Sequence, residues 1–212
     1  MRYPELHGFL SRLHPIPAGE WEKAGMMFAE RALRKGEFFA RAGEEPRHFA
    51  VVRSGFFRLY YQDGEGKEYT KAFRGPWSFI GPYAEMLLGR SSLTYVVATE
   101  DSRVFAAEFP RLVSLYEEHA CWQAVGRKIA EGLYLEKLQR EFEFLQLSAR
   151  ERYDAFVGEF PEYARKVPQY QIASYLGVTP VGLSRLVGKS SRSEHARDNH
   201  TEIRARRGKA RG

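Results

Sequence analysis

The spacing of apolar and polar positions changes twice along the 212-residue chain. Residues 5–30 carry apolar side chains at helical intervals and predict mainly helix. Across residues 33–109, short runs rich in aromatic and β-branched residues alternate with turn signals such as Asp-Gly-Glu-Gly at 63–66. Such strands predict an antiparallel sandwich or barrel. From 112 to about 147, apolar residues recur every three or four positions without proline, which predicts one long amphipathic helix, or one interrupted near its start.

A helix of this length cannot bury its whole apolar stripe against a small β domain. The simplest partner is a second copy of itself, in a parallel dimer that resembles a coiled coil. The alternative is a helix buried in the core of its own chain. Ser148, with Glu151 three residues on, then predicts a capping box for the next helix. The predicted dimer-interface residues are Val125, Ile129, Leu133 and Leu138.

The segment QIASYLGVTPVGLSRLV, residues 171–187, has the pattern of two short helices separated by a glycine. Gly177 permits the left-handed backbone that ends a helix sharply, Thr179 is a good N-cap, and Pro180 suits the first helical turn. These features predict a helix-turn-helix whose second helix enters the DNA major groove. A helical hairpin without a ligand would show the same apolar spacing. The inward-facing positions are Ile172, Ala173, Leu176, Leu183, Leu186 and Val187.

Charge supports a DNA partner for this part of the chain. The net charge is +6, yet residues 165–212 contain 11 Lys and Arg against 3 Asp and Glu, so the remainder is slightly acidic. A basic segment suggests a polyanion partner, although a solvated basic tail has the same composition. On the second helix, Arg185 can bond guanine and Ser184 suits bases or phosphates. Lys189 and the Thr179 hydroxyl suit phosphates.

The remaining composition limits the chemistry. Apolar content of 43% and charged content of 28% are typical of a soluble globular protein. We expect neither a membrane span nor a secretory signal. Cys121 is the only cysteine, which favours a reducing cytoplasm and leaves too few thiolates for an iron–sulfur cluster. His48 is the only histidine of the β region, so a cupin-like metalloenzyme has little support.

Four segments, in order, resemble the CRP/FNR family of bacterial transcription regulators. GEFFARAGEEPRHFAVVRSGFFRLYY and FRGPWSFIG resemble its cyclic-nucleotide-binding β-roll, and the long helix follows. LSARERYDAFVGEFPE and VPQYQIASYLGVTPVGLSRLV resemble its linking helix and winged helix-turn-helix. The implied fold is α+β. An N-terminal antiparallel β-roll, or double-stranded β-helix, would form the sensor domain over 1–110, a dimerisation helix would span 111–147, and a winged helix-turn-helix would span 148–212.

The resemblance implies a transcription regulator, not an enzyme, that binds a near-palindromic operator as a homodimer. It further implies a contact with RNA polymerase and a small-molecule effector in the β-roll. Carried over by position, the base-reading residues include Pro180 and Val181. An acidic residue is common in the family where this chain has Val181, so the operator cannot be copied across. The predicted DNA-binding residues are Thr179, Pro180, Val181, Ser184, Arg185 and Lys189.

The predicted effector region departs from the family pattern. Members that bind cyclic AMP hold its ribose with Gly-Glu, where this chain has Gly81-Pro82, and its phosphate with Arg-Ser or Arg-Thr. Arg90-Ser91 lies nearby, but the register places Ser92 at the phosphate position. We therefore expect an effector other than cyclic AMP, and its identity stays open. The predicted pocket residues are Gly81, Pro82, Tyr83, Glu85, Arg90, Ser91 and Ser92.

Two other interpretations remain open at the level of sequence. The β-roll could belong to an interaction or ligand-binding module that does not bind DNA, and the cupin-like enzyme is the weaker alternative. The segment after Val187 contains one large aliphatic residue, Ile203, which is too little to form a core. That segment is either a disordered DNA-contacting arm or a non-native extension such as an altered reading frame would produce.

Overall fold

The computed structural model describes residues 1–188, which form two compact units: residues 1–143, and a second unit that begins at Phe144. The N-terminal segment, predicted to be mainly helical, contains two helices, and the first strand already begins at Ala29. The strands are β1 Ala29–Leu33, β2 Phe38–Ala40, β3 His48–Ser54, β4 Phe57–Gln62, β5 Glu68–Arg74, β6 Phe79–Ile80, β7 Tyr95–Ala98 and β8 Ser102–Glu108. The helices of residues 1–146 are α1 Pro4–Ser11, α2 Ala18–Gly25, α3 Tyr83–Leu88, α4 Phe109–Glu118 and α5 Ala120–Gln146.

Within residues 29–108 the strands form two four-stranded antiparallel sheets, ordered β1-β8-β3-β6 and β2-β7-β4-β5. This is the predicted β-roll, built from two packed sheets rather than a closed barrel. Apolar side chains fill the space between the sheets: Leu33, Ala50, Val52, Phe57, Leu59, Ile80, Val96, Ala98, Val104 and Ala106.

The turn signal at residues 63–66 corresponds to a hairpin that joins β4 and β5. The Asp63 carboxylate accepts the backbone N–H groups of Glu65 at 3.0 Å and Lys67 at 2.9 Å. Gly66 has a φ of 83°, so it supplies the left-handed residue of this turn.

Helices cover one face of the β1-β8-β3-β6 sheet. Val51, Phe105 and Ala107 of this sheet pack with apolar side chains of α1, α2, α4 and α5 in one buried cluster. The predicted long helix is interrupted at His119, whose backbone is extended. The Nδ1 of His119 accepts the N–H of Cys121 at 3.0 Å and so satisfies a backbone donor at the start of α5.

The second unit is helical across its described residues. Its helices are α6 Ala149–Glu159, α7 Pro161–Ala164, α8 Gln169–Leu176, and α9, which runs from 180 to the end of the described chain at 188. The predicted capping box is confirmed, because Ser148 and Glu151 bond each other's backbone N–H groups. Lys189, the predicted wing and the basic tail lie outside the described residues. The core of the unit contains Phe156, Tyr163, Val167, Ile172, Ala173, Leu176 and Leu183.

Between residues 1 and 188, the helices are too short or too polar to cross a membrane.

Candidate nucleic-acid interface and effector region

The turn between α8 and α9 depends on glycine for two reasons. Gly177 has a φ of 69°, a left-handed conformation that costs other L-residues about 1–2 kcal/mol. The N–H of Val178 donates to the carbonyl of Ala173 at 3.0 Å, which closes the end of α8. A Cβ at position 177 would also come within 2.6 Å of the Phe144 ring. The predicted helix-ending role of Gly177 is therefore confirmed.

The start of α9 is a threonine cap, as predicted. The Oγ1 of Thr179 accepts the N–H of Gly182 at 3.1 Å, and its carbonyl accepts the N–H of Leu183 at 2.9 Å. Pro180 stands in the first turn, where its missing N–H leaves no donor unpaired. Leu183 is 1% exposed and Leu186 is half-buried, so this face of α9 packs onto the unit.

The opposite face of α9 is open. Val181, Ser184 and Arg185 are exposed. Within residues 1–188, the Arg185 side chain forms no hydrogen bond or ion pair. The oxygen of Thr179 is used in the cap, but its hydroxyl can still donate a proton to an acceptor such as a phosphate. As far as residues 1–188 show, this side of α9 therefore presents one unpaired guanidinium and two hydroxyls.

Two arginines of α6, which sequence reasoning missed, anchor the helix pair. Arg152 donates from Nε to the carbonyl of Leu176 at 3.1 Å and from Nη1 to that of Leu147 at 2.6 Å. Arg150 donates from Nη1 to the carbonyl of Leu186 at 3.4 Å. The bonds from Arg152 satisfy carbonyls at the ends of α5 and α8, where intrahelical partners are lacking. The two arginines of the motif SARER were the available signal, but the sequence does not show which backbone carbonyls they bond.

The predicted effector residues do not surround one pocket. Pro82 is buried at the start of α3, and the Tyr83 ring packs against Phe49 at a centroid distance of 5.5 Å. The Ser92 hydroxyl donates to the carbonyl of Thr94 at 2.8 Å and accepts its N–H at 3.0 Å, so it is turned into its own loop.

The other members of the predicted set lie in different surroundings. Gly81 has a φ of 141°, and a Cβ there would come within 3.1 Å of the Phe49 ring. Ser91 is exposed. Glu85 and Arg90 line a cleft of about 370 Å³ that is also bordered by residues 45–47 and 108–110.

Two interior features bear on ligands. The space between the two sheets is occupied by the apolar cluster described above. A smaller cavity of about 60 Å³ lies where β3 and α3 meet α4 and α5, and its walls are apolar and aromatic. Burial raises the pKa of Tyr83 and Tyr116, which both line it.

A buried arginine on β4 was not foreseen. The Nε of Arg58 donates to the Thr70 hydroxyl at 2.8 Å, and its Nη1 pairs with Glu68. Its guanidinium lies 4.4 Å from the Tyr60 ring, which stacks on Tyr95 at 4.9 Å. Burial raises the pKa of the Tyr60 hydroxyl. The run FRLYY showed a strand, but not which of its polar groups would be buried.

The dimer-interface prediction requires one correction. Val125 is 4% exposed and belongs to the buried cluster with α1, α2 and α4, so it is not a surface residue of α5. Ile129 and Leu133 are half-buried. Leu138 is exposed, as are Leu135 at 62% and Phe142 at 52%. Exposed apolar side chains therefore begin about halfway along α5.

Residues 1–188 contain no cluster of three or more His, Cys, Asp or Glu residues arranged to hold a metal ion.

Sequence comparisons agree with the architecture. A family model described as a cyclic nucleotide-binding domain matches residues 30–119. The transcriptional regulatory protein btr of Bordetella pertussis is 25% identical over 209 residues, which cover 89% of this chain and 82% of that protein. The regulatory protein HlyX of Actinobacillus pleuropneumoniae is 23% identical over 175 residues, which cover 77% and 72%.

Solved structures share the fold at lower identity. FixK2 of Bradyrhizobium japonicum has a TM-score of 0.66 at 20% identity, covering 79% of this chain and 86% of that one. A transcriptional regulator from Eubacterium rectale, described as a CRP/FNR protein, has a TM-score of 0.71 at 14% identity and 88% coverage of each chain.

The chain therefore joins a β-roll unit to a helix-turn-helix unit with an exposed arginine, and the curated proteins similar to it are transcription regulators. The chain is a transcription regulator similar to proteins of the CRP/FNR type, and its residues 30–119 match the cyclic nucleotide-binding domain.

Proposed function

We propose that this regulator is a homodimer that binds duplex DNA sequence-specifically, with α9 of each protomer in the major groove of one half-site. The observation that carries the proposal is the exposed Arg185, unpaired among residues 1–188, on a capped and anchored helix. A guanidinium so placed can donate two hydrogen bonds, to O6 and N7 of one guanine. Thr179, at the start of the same helix, suits a backbone phosphate, and Ser184 suits a base or a phosphate.

The second half of α5 supports the homodimer. Leu135, Leu138 and Phe142 are exposed in the single chain and are separated by three and then four residues. This is the spacing of a coiled-coil seam, in which each apolar side chain packs into a hole on the partner helix. Exposed apolar side chains in such a row mark an interaction surface more often than a solvated one. A two-fold dimer through this seam would present two α9 helices to two half-sites.

The proposed effector is a small molecule other than cyclic AMP. A nucleotide needs acceptors for its ribose hydroxyl and donors for its phosphate, and unpaired ligand groups in a buried site weaken binding strongly. Pro82 has no side-chain acceptor, and Ser92 already bonds its own loop. The apolar filling between the sheets supports the same proposal.

Selection from random duplexes with the full chain would test the DNA proposal and supply an operator. On that operator, Arg185→Ala should lose about 1–3 kcal/mol and relax the preference at one base pair per half-site, because a bidentate guanine contact is lost. Fluorescence anisotropy over a salt series would measure both affinity and salt dependence.

The matched control is Arg165→Ala, which removes an exposed arginine of the same unit outside α9. This variant should weaken binding to all duplexes alike, or to none of them, because a phosphate contact carries no sequence information. If selection enriches no sequence, and Arg185→Ala binds every duplex as well as the unaltered protein, then α9 does not read DNA and the proposal is wrong.

A protein that binds the bacterial chromosome acts in the cytoplasm, where the chromosome lies, so the proposal includes a cytoplasmic location. The contact with RNA polymerase that the family resemblance implies belongs to the same proposal.

A further inference from the structure

A cleft of about 370 Å³ borders α3 in the first unit. Its walls come from three separate stretches: residues 45–47, residues 85–90, and residues 108–110 at the end of β8 and the start of α4. None of the side chains that fill the space between the sheets lines it. Its volume lies within the range of small-molecule sites.

Glu85 is the polar group of this cleft that the fold leaves unsatisfied. The residue is 3% exposed, and its Oε2 is buried without a hydrogen-bond partner among residues 1–188. Nearly all buried side-chain oxygens in proteins have a partner, so an exception calls for a physical explanation. A ligand that donates a hydrogen bond into the cleft would supply the missing partner.

Arg90 is held beside Glu85 by the turn that ends α3. Gly89 has a φ of 60°, and the N–H of Arg90 donates to the carbonyl of Glu85 at 3.1 Å. This six-to-one bond is the Schellman end of a helix, and it fixes the two residues relative to each other. The Arg90 side chain is exposed, with no ion pair in the part of the chain that the structure describes. An anion in the cleft can therefore pair with it.

The other charged side chains that line the cleft determine which charges a ligand must complement. Arg47 lies 3.5 Å from Glu45 at the exposed rim, so these two charges largely offset each other. Two acidic side chains, Glu85 and Glu108, and one basic side chain, Arg90, remain in the lining of the cleft. A ligand that complements them carries a cationic hydrogen-bond donor and one anionic group.

From this arrangement we infer that the cleft binds a free α-amino acid. The ammonium group donates to Glu85 and faces Glu108, and the α-carboxylate pairs with Arg90. Glu–ammonium and Arg–carboxylate hydrogen bonds are of the charge-assisted type, which is stronger than neutral pairing. Met86 and Phe109 provide apolar wall for a side chain. The inference goes beyond the proposed regulator function and does not depend on DNA binding.

Calorimetry and thermal-shift assays on the full chain, with each of the common amino acids as probe, test this site. We expect at least one amino acid to bind and raise the melting temperature. Glu85→Gln and Arg90→Gln should each weaken that binding about tenfold or more, the value of a hydrogen bond to a charged group. The control Glu117→Gln, an exposed α4 residue outside the cleft, should bind as the unaltered chain does.

Two analogues of the best amino acid identify the recognised groups. The amine without its carboxylate should bind more weakly, and Arg90→Gln should then cause no further loss. The corresponding α-hydroxy acid should bind more weakly because Glu85 and Glu108 favour a cation. Glu85→Gln should fold normally, since the side chain of Glu85 forms no hydrogen bond within residues 1–188, and Arg90→Gln, at an exposed residue, repeats the test independently.

The inference is wrong if no amino acid binds, if the hydroxy acid binds as tightly as the amino acid, or if both cleft variants bind like Glu117→Gln. Because these assays contain no DNA, their failure would leave the selection experiment on α9 unaffected.

Discussion

Replacing Gly177 with alanine tests the turn that positions the DNA-reading helix. At a φ of 69°, an L-residue costs about 1–2 kcal/mol more than glycine. The new Cβ would lie 2.6 Å from Cε1 of Phe144, which is too close for two carbon atoms. Phe144 is 45% exposed, so its ring can move away at the cost of an unfavourable rotamer, about 1 kcal/mol. We therefore expect a total destabilisation of about 2–3 kcal/mol in the second unit.

Urea unfolding followed by two spectroscopic signals would show which unit loses stability. All three tryptophans, at positions 21, 77 and 122, lie in the first unit, whereas far-UV circular dichroism also reports the helices of the second. Gly177→Ala should lower the urea midpoint of the dichroism change more than that of the tryptophan change. Operator affinity should fall as well, because α9 is held less well.

Matched variants separate the two contributions. Gly158→Ala, in α6, adds a methyl group where nothing lies within 4 Å and φ is not positive, so it should be neutral or stabilising by up to about 1 kcal/mol. Adding Phe144→Ala to Gly177→Ala should recover only the steric part in a double-mutant cycle. The reasoning is refuted if Gly177→Ala is as stable as the unaltered protein and binds the operator equally well.

Two further predictions concern the first unit. Leu135→Glu and Phe142→Glu should each give monomers by light scattering, because a charge would be buried in the α5 seam; Tyr61→Glu, at an exposed strand residue, is the control. A dimer that survives both α5 changes would exclude this seam. Burial, and then the charge of Arg31, hold the pKa of His48 below its usual value. Protonation therefore opposes folding, and stability present above about pH 6.5 should be lost as the pH falls below it. The urea midpoint, measured at pH 5, 6 and 7, should depend less on pH in His48→Gln than in the unaltered protein. Equal slopes of midpoint against pH in the two proteins would contradict this prediction.

Features set by neighbours in sequence could be predicted. The ends of α8 and α9 depend on Gly177 and Thr179, and the start of α6 depends on Ser148 and Glu151. Each bond here joins residues at most five positions apart, so residue type and spacing carry the necessary information. The helix-turn-helix was therefore predictable without a tertiary structure.

Features set by distant contacts could not be predicted in the same way. Val125 has the same apolar spacing as Leu138, but α1, α2 and α4 cover only the first turns of α5. The periodicity of a helix shows which positions share a face, not which neighbour covers that face. The helix is interrupted at His119, where the sequence has neither proline nor glycine. The ring Nδ1 of His119 accepts the backbone N–H of Cys121 at this interruption.

The effector region shows where family resemblance stops being informative. The departures at Pro82 and Ser92 were visible in the sequence and argued against a cyclic nucleotide. What replaces that chemistry was not visible, since Glu85 sits in an ordinary helical pattern and the cleft beside it is closed by residues about 40 and 20 positions away. Only the fold shows that, among residues 1–188, the Oε2 of Glu85 is buried without a partner and the side chain of Arg90 beside it forms no ion pair. The ligand of this region therefore has to be sought from the charges of these two residues and not from the positions that bind nucleotides in relatives.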